Sequence, residues 1–321
     1  MKNLLLAACL LMAKVTTAQI ETYKVVTNPW NSNGDMNVAI YKPAGYADSP
    51  LKVWPVIEFY HGDGDQGTDV NKILNNYIFK LIKDGKPPQA VNPITGAMER
   101  FIVIEAQDRT GGTVWPENFR KIWTYLKNTV KLRIDTTRIY TLGHSYGGAG
   151  DILAASWDSI ATRRVAAVAS LSPHADLLNK KQNIPLMVKD SIGIWFYTGT
   201  LAKEGFTAYA NAFDALYRQA GGNSLVTIFN GGHDAAFWNN FYAGNVTRNY
   251  RGRQMNVYEW FLTHKKGGYE PSIDPEPYKL QTTIFHDPKK IYKIIVLDGD
   301  GTWTEYDSTS VRSGNIKLST K

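Results

Sequence analysis

The order of apolar segments predicts an α/β architecture: a mostly parallel eight-stranded sheet flanked by helices, with a small C-terminal β appendage. Three observations carry this. Between Tyr23 and His264 short apolar runs alternate with longer amphipathic ones, the pattern of strands and the helices that cover them. Runs such as 165–171, Val-Ala-Ala-Val-Ala-Ser-Leu, lack strict polar alternation, as strands buried on both faces do. After Lys266 the character changes to Gly267-Gly268 and Pro271, Pro275 and Pro277, a linker composition.

The apolar runs place strands over 23–26, 38–41, 53–60, 101–105, 139–143, 165–170, 192–197 and 225–229, and the amphipathic ones place helices over 70–83, 116–130, 149–158, 207–220 and 254–263. The first two strands are joined without room for a crossover helix and are expected to be antiparallel. Beyond the prolines, 290–297 and 302–306 flank Asp298-Gly-Asp-Gly301, a hairpin signature. Asp298 and Asp300 superficially resemble a calcium loop, but the remaining ligand positions of that pattern are not supplied. The expected organisation is a leader over 1–18, one main domain over 19–266, a linker over 267–289 and, over 290–321, a β-hairpin appendage or the start of a further C-terminal module.

Met1-Lys2-Asn3, the apolar run Leu4 to Ala13 and the small residues Thr16 and Ala18 read as a secretory signal peptide cut after Ala18. The expected location is therefore secreted or periplasmic. A lipoprotein box around Cys9 is disfavoured, because the apolar run continues past it. The run is too short to span a bilayer, which takes about 20 apolar residues. Cys9 is the one cysteine of the chain, so the mature protein would have no disulfide, thiol catalysis or cysteine metal site. Loss of Lys2 and Lys14 takes the formal charge from +7 to +5, and the basic residues are scattered rather than blocked, which argues against nucleic-acid binding.

The most informative stretch is Arg138-Ile-Tyr-Thr-Leu-Gly143-His144-Ser145-Tyr146-Gly147-Gly148. It reads as a buried strand running into a Gly-x-Ser-x-Gly turn that exposes a nucleophilic serine. A serine on so sharp a turn crowds its neighbours, so the positions two before and two after it must lack a Cβ. A serine hydroxyl is a poor nucleophile at neutral pH and needs a general base, oriented in turn by a third group. The base is expected C-terminal to the serine, on a loop after the last core strand, and His233 in Phe229-Asn-Gly-Gly-His233-Asp-Ala-Ala-Phe-Trp238 stands there. The oxyanion needs preorganised N–H donors. Tyr146, just after the nucleophile, is expected to supply one, and Asp63, in the loop His61-Gly62-Asp63-Gly64 after the third strand, the other. Trp115, His144 and Trp238 are expected to bind substrate, the tryptophans as flat surfaces for a sugar or an aryl acyl group. No metal and no cofactor is implied, since such a triad supplies nucleophile and acid-base function.

Taken together, His61-Gly62-x-Gly64, Trp115-Pro116, Gly143-His-Ser-x-Gly-Gly148 and Gly-Gly-His233-Asp-x-x-x-Trp238 resemble the secreted α/β-hydrolase esterases of the polyhydroxybutyrate-depolymerase-like and feruloyl-esterase-like group. The resemblance covers roughly Val53 to His264. It implies the α/β-hydrolase fold and ester hydrolysis through an acyl-enzyme, commonly of acetyl or feruloyl groups on polysaccharides. One departure stands out. Where that family carries its acid, this chain reads Phe196-Tyr-Thr-Gly199-Thr-Leu-Ala202-Lys-Glu204, with Ala202 at the expected position. Glu204, two residues on, is the first alternative for the acid and Asp176 the second, while Asp234 is too close in sequence to His233. Two further readings stay open: a secreted serine peptidase of the same fold, and a carbohydrate-binding protein on a decayed hydrolase scaffold.

Overall fold

The protein is described by a computed structural model covering residues 18–26, 35–109, 116–201, 205–267, 294–297 and 303–306. The chain divides into two compact units, Met1–Glu270 and Pro271–Lys321.

The first unit is built on an eight-stranded sheet. Its strands are β1 (Gln19–Val26), β2 (Asp35–Lys42), β3 (Trp54–Tyr60), β6 (Ile102–Gln107), β7 (Ile134–His144), β8 (Val165–Leu171), β9 (Gly193–Gly199) and β10 (Ser224–Phe229), in the order β1-β2-β6-β3-β7-β8-β9-β10. The short β4 (Gln89–Val91) and β5 (Met98–Arg100) pair with each other outside it. The β1–β2 and β2–β6 contacts are antiparallel; from β6 to β10 every pairing is parallel. The eight expected strands are thus one sheet with an antiparallel edge.

Side-chain alternation divides its core in two. Ile57, Phe59, Phe101, Val103, Leu142, Trp195 and Tyr197 face one way. Val56, Tyr60, Ile102, Ile104, Val168, Ile194 and Phe196 face the other. Both faces are covered, so β3, β6, β8 and β9 are buried along their whole length and read as continuous apolar runs. The first face is packed by α1 (Asn71–Leu74), α2 (Tyr77–Lys83), α8 (Ala235–Tyr242) and α9 (Val257–Phe261). The second is packed by α3 (Pro116–Asn128), α4 (Tyr146–Ser156), α6 (Ile184–Lys189) and α7 (Phe206–Gln219), with α5 (Ser159–Arg164) joining α4 to β8.

Two expected helices differ. The one over 70–83 is split, because Asn76 is extended (φ −118°, ψ 159°) and its side chain reaches back to the Asp65 carboxylate at 2.6 Å. The one over 254–263 shrinks to α9: residues 253–255 form β12 (Arg253–Met255), paired with β11 (Arg248–Tyr250), and a capping box of Asn256 and Glu259 starts the helix. Helix α8, which no amphipathic run announces, is capped by the Asp234 carboxylate, which accepts the Phe237 N–H at 2.9 Å.

In the second unit β13 (Ile294–Leu297) and β14 (Trp303–Tyr306) pair antiparallel, Ile294 opposite Tyr306. The turn between them with Asp298 and Asp300, most of the expected linker and residues 1–17 of the expected leader lie outside the described residues.

Candidate active site

Strand β7 ends at His144, and α4 begins at Tyr146 with only Ser145 between them. That turn holds Ser145 at φ 58°, ψ −122°, a region a residue with a Cβ enters at a cost of about 1–3 kcal/mol. Three backbone bonds hold it. The Ser145 N–H donates to the Leu171 carbonyl at 2.9 Å, and the Ser145 carbonyl accepts from His174 at 3.0 Å and Ala149 at 3.1 Å. The glycines give the room: a Cβ on Gly143 would stand 2.4 Å from the Gly147 carbonyl oxygen, and one on Gly147 would stand 2.0 Å from that of Tyr60.

His233 arrives from the loop between β10 and α8. Its Nε2 lies 3.0 Å from Ser145 Oγ, with the serine hydroxyl as donor when the histidine acts as base. Phe206, the first residue of α7, stacks on the imidazole with ring centroids 3.9 Å apart and planes 6° apart. Trp238 meets the same ring edge-on at 4.6 Å. The imidazole is thereby held by two aromatic rings, one of which, Phe206, was not singled out from the sequence. A buried aromatic heading a helix gives no signal of its own there.

The loop after β3 is buried at His61 and Gly62 and exposed at Asp63 and Gly64. The Asp108 N–H donates to His61 Nε2 at 3.1 Å, which leaves the ring proton on Nδ1, 2.8 Å from the Gly62 carbonyl. Burial lowers the His61 pKa, consistent with that neutral ring. Among the described residues, neither the Asp63 nor the Tyr146 N–H donates a hydrogen bond. The Tyr146 N–H is in addition in the first turn of α4, where helix N–H groups are unpaired and the dipole favours negative charge.

The remaining candidates separate. His144 is buried, sandwiched between the Tyr77 ring at 4.0 Å and the Trp238 ring at 4.2 Å, with Nδ1 2.9 Å from the Tyr242 hydroxyl. Burial, with His61 and His233 nearby, holds its pKa well below the ordinary histidine range. Trp238, also expected to bind substrate, is buried like His144, and Tyr77 is half-buried. Tyr77 itself has φ 42°, another non-glycine residue in the left-handed region beside the serine turn. Asp176 is half-exposed, its carboxylate 3.3 Å from His174 Nδ1 and 3.5 Å from Asn179 Nδ2. Asp234 is committed to its helix cap. Glu204, Ala202 and Trp115 lie outside the described residues. His174 stacks on the half-exposed Tyr146 ring at 4.1 Å, forming a flat surface next to the nucleophile.

Among the described residues no cluster of three or more His, Cys, Asp or Glu side chains is placed to hold a metal ion, and no helix is long and apolar enough to cross a membrane. What the site can do chemically is transfer the proton of a buried serine hydroxyl on a strained turn to the histidine 3.0 Å away, beside the N-terminal turn of α4.

No protein-family model and no curated protein matches this sequence. Solved structures do resemble it in fold. The fluorophosphonate-binding serine hydrolase FphF of Staphylococcus aureus is 12% identical with a TM-score of 0.52, covering 77% of this chain and 99% of that one. The S-formylglutathione hydrolase FrmB of Staphylococcus aureus is 12% identical with a TM-score of 0.50, covering 77% and 98%. A thermostable esterase is 16% identical with a TM-score of 0.52, covering 77% and 63%. The architecture is therefore the α/β-hydrolase fold, with the serine turn after its fifth main-sheet strand in sequence and the histidine loop after its last.

Proposed function

We propose that this protein is a serine carboxylic-ester hydrolase working through an acyl-enzyme. The observation that carries the reading is the 3.0 Å contact between Ser145 Oγ and His233 Nε2 on a backbone strained into position. In this mechanism Ser145 Oγ attacks the ester carbonyl while His233 takes its proton, and the Tyr146 and Asp63 N–H groups stabilise the oxyanion. Collapse of the tetrahedral intermediate expels the alcohol, which receives the proton from His233. Water, activated by the same histidine, then attacks the acyl-enzyme and regenerates the serine. Glu204 is the acid that orients His233; the commitment of Asp234 to the α8 cap supports this choice over Asp234. The substrate is an acetyl or feruloyl ester on a polysaccharide, met by the half-exposed Tyr146 ring, and the enzyme is exported by the leader over 1–18. A decayed binding protein would have no need of the Ser145–His233 contact.

The test is hydrolysis of para-nitrophenyl acetate and methyl ferulate by the wild type and by Ser145→Ala, Glu204→Gln and Asp176→Asn. Activity in the wild type that disappears in Ser145→Ala and falls by orders of magnitude in Glu204→Gln is expected. An inert wild type that no fluorophosphonate labels would overturn the reading.

A further inference from the structure

Resting on that reading, we infer that Gln107 and Asn37 are positioning residues that set where the oxyanion loop stands. Gln107 is the last residue of β6, wholly buried. Its Nε2 donates both of its hydrogens to the loop after β3, to the Asp65 carbonyl at 2.7 Å and the Asp69 carbonyl at 2.9 Å. Its Oε1 accepts from Asn37 Nδ2 at 2.7 Å, and the same Asn37 amide donates to the Thr68 carbonyl at 3.0 Å. Two side-chain amides, from neighbouring antiparallel strands, thus hold three carbonyls of one loop.

The network leaves one choice of amide orientation. With Gln107 Nε2 facing two carbonyls, Oε1 must be the acceptor toward Asn37; the opposite orientation would put oxygen against oxygen twice. The next residue continues the attachment: the Asp108 N–H donates to His61, and the Asp108 carbonyl accepts the Gly67 N–H at 2.7 Å. The bonded residues bracket Asp63, from His61 on one side to Asp65, Gly67, Thr68 and Asp69 on the other. Asp63 and Gly64 are themselves exposed, and the side chains that reach Gly64, Gln66 Oε1 on its N–H at 2.5 Å and Lys72 Nζ on its carbonyl at 3.5 Å, belong to the same exposed surface. The donor geometry of an oxyanion site must nevertheless hold within a few tenths of an ångström, since about 1 Å of misplacement can cost about 100-fold. The buried amides supply that constraint from beneath.

This arrangement has a kinetic signature. A loop displaced by loss of the amides still admits the ester, so KM stays, while oxyanion stabilisation falls, so kcat drops. We would compare wild type, Gln107→Met and Asn37→Ala on para-nitrophenyl acetate, with rates per site titrated by a fluorophosphonate, and measure inhibition by an aryl trifluoromethyl ketone, whose serine hemiketal carries the oxyanion. Gln107→Met keeps the volume and removes both donors. The expected result is a fall in kcat of roughly 10–100-fold, KM within about twofold, and a Ki that rises in proportion to the loss of kcat/KM. A merely structural role would lower the titrated fraction and leave kcat per site and Ki unchanged. If Gln107→Met does not fold, Asn37→Ala, which leaves the Gln107 donors in place, is expected to lower kcat per site by about fivefold or more. Wild-type kcat per site in either folded variant, or a change confined to KM, overturns the inference. Failure of the underlying reading looks different: Ser145 is then not labelled in the wild type, whatever residue 107 is.

Discussion

Gly147→Ala puts a single methyl group where the fold leaves none. The added Cβ would stand 2.0 Å from the Tyr60 carbonyl oxygen and 2.5 Å from that of His61. The closest ordinary C···O approach is about 3.3 Å, so the first turn of α4 and the end of β3 must separate by about 1.3 Å. Neither partner is a flexible side chain; both are backbone, Tyr60 at the end of a strand paired on both edges. Overpacking of this kind costs about 1–3 kcal/mol, with the upper end expected here. For a domain of this size that lowers Tm by roughly 6–12 °C. The displacement falls on the two places where the proposed oxyanion donors originate, Tyr146 at the start of α4 and the loop that begins at His61. A shift above 1 Å there should lower kcat by about 100-fold or more in the molecules that remain folded. The assay pairs thermal unfolding with ester hydrolysis per fluorophosphonate-titrated site. A variant with unchanged Tm and kcat within about threefold of wild type would refute the claim that the glycine is required by contact with β3.

Other expectations follow from single observations. Ser145→Gly should be more stable than Ser145→Ala by about 1 kcal/mol in urea unfolding, because glycine adopts φ 58° without the strain that alanine retains; equal stabilities would mean the turn stores no strain. Phe206→Leu should lower kcat about tenfold with little change in KM, since the ring stacked on His233 fixes the imidazole plane; unchanged kcat per site would show that Trp238 suffices. Glu105 is buried within β6 and its pKa is raised well above the carboxylate range, by burial first and the Asp65 charge second. The folded state thus holds a proton that the unfolded chain releases near pH 4.5, and stability falls as pH rises through the window above it. Glu105→Gln should remove that slope, stabilising the protein at pH 8 relative to wild type and doing so little at pH 4. A variant destabilised at pH 8 as much as at pH 4 would contradict this.

Much of the framework was legible in the chain. Strands β3, β6, β8 and β9 are near-continuous apolar runs because both faces of the sheet are covered there, and burial leaves a composition signal that survives without any knowledge of neighbours. The serine turn was legible for a steric reason, since the glycines at 143 and 147 answer contacts that occur in any strand-turn-helix of that tightness. His233 was legible through its position after the last strand. The pieces that escaped depend on long-range partners. The break between α1 and α2 is made by Asn76 reaching Asp65, and nothing in the amphipathic pattern over 70–83 records it. His144 was expected to bind substrate; its burial among Tyr77, Trp238 and Tyr242 is set by residues far away in sequence.

By itself the sequence determined the α/β class, the eight strands, the antiparallel edge formed by the first two, and the pairing of a serine turn with a later histidine. These rest on local sterics and on burial periodicity, which each segment carries within itself. Only the tertiary structure decided that Ser145 Oγ and His233 Nε2 lie 3.0 Å apart, that Phe206 backs the imidazole, and that the amides of Gln107 and Asn37 hold the loop containing Asp63. Those contacts join residues separated by 27 to 88 positions. Their geometry is set by how β3, β6, β7 and β10 stack side by side, a quantity no single segment encodes.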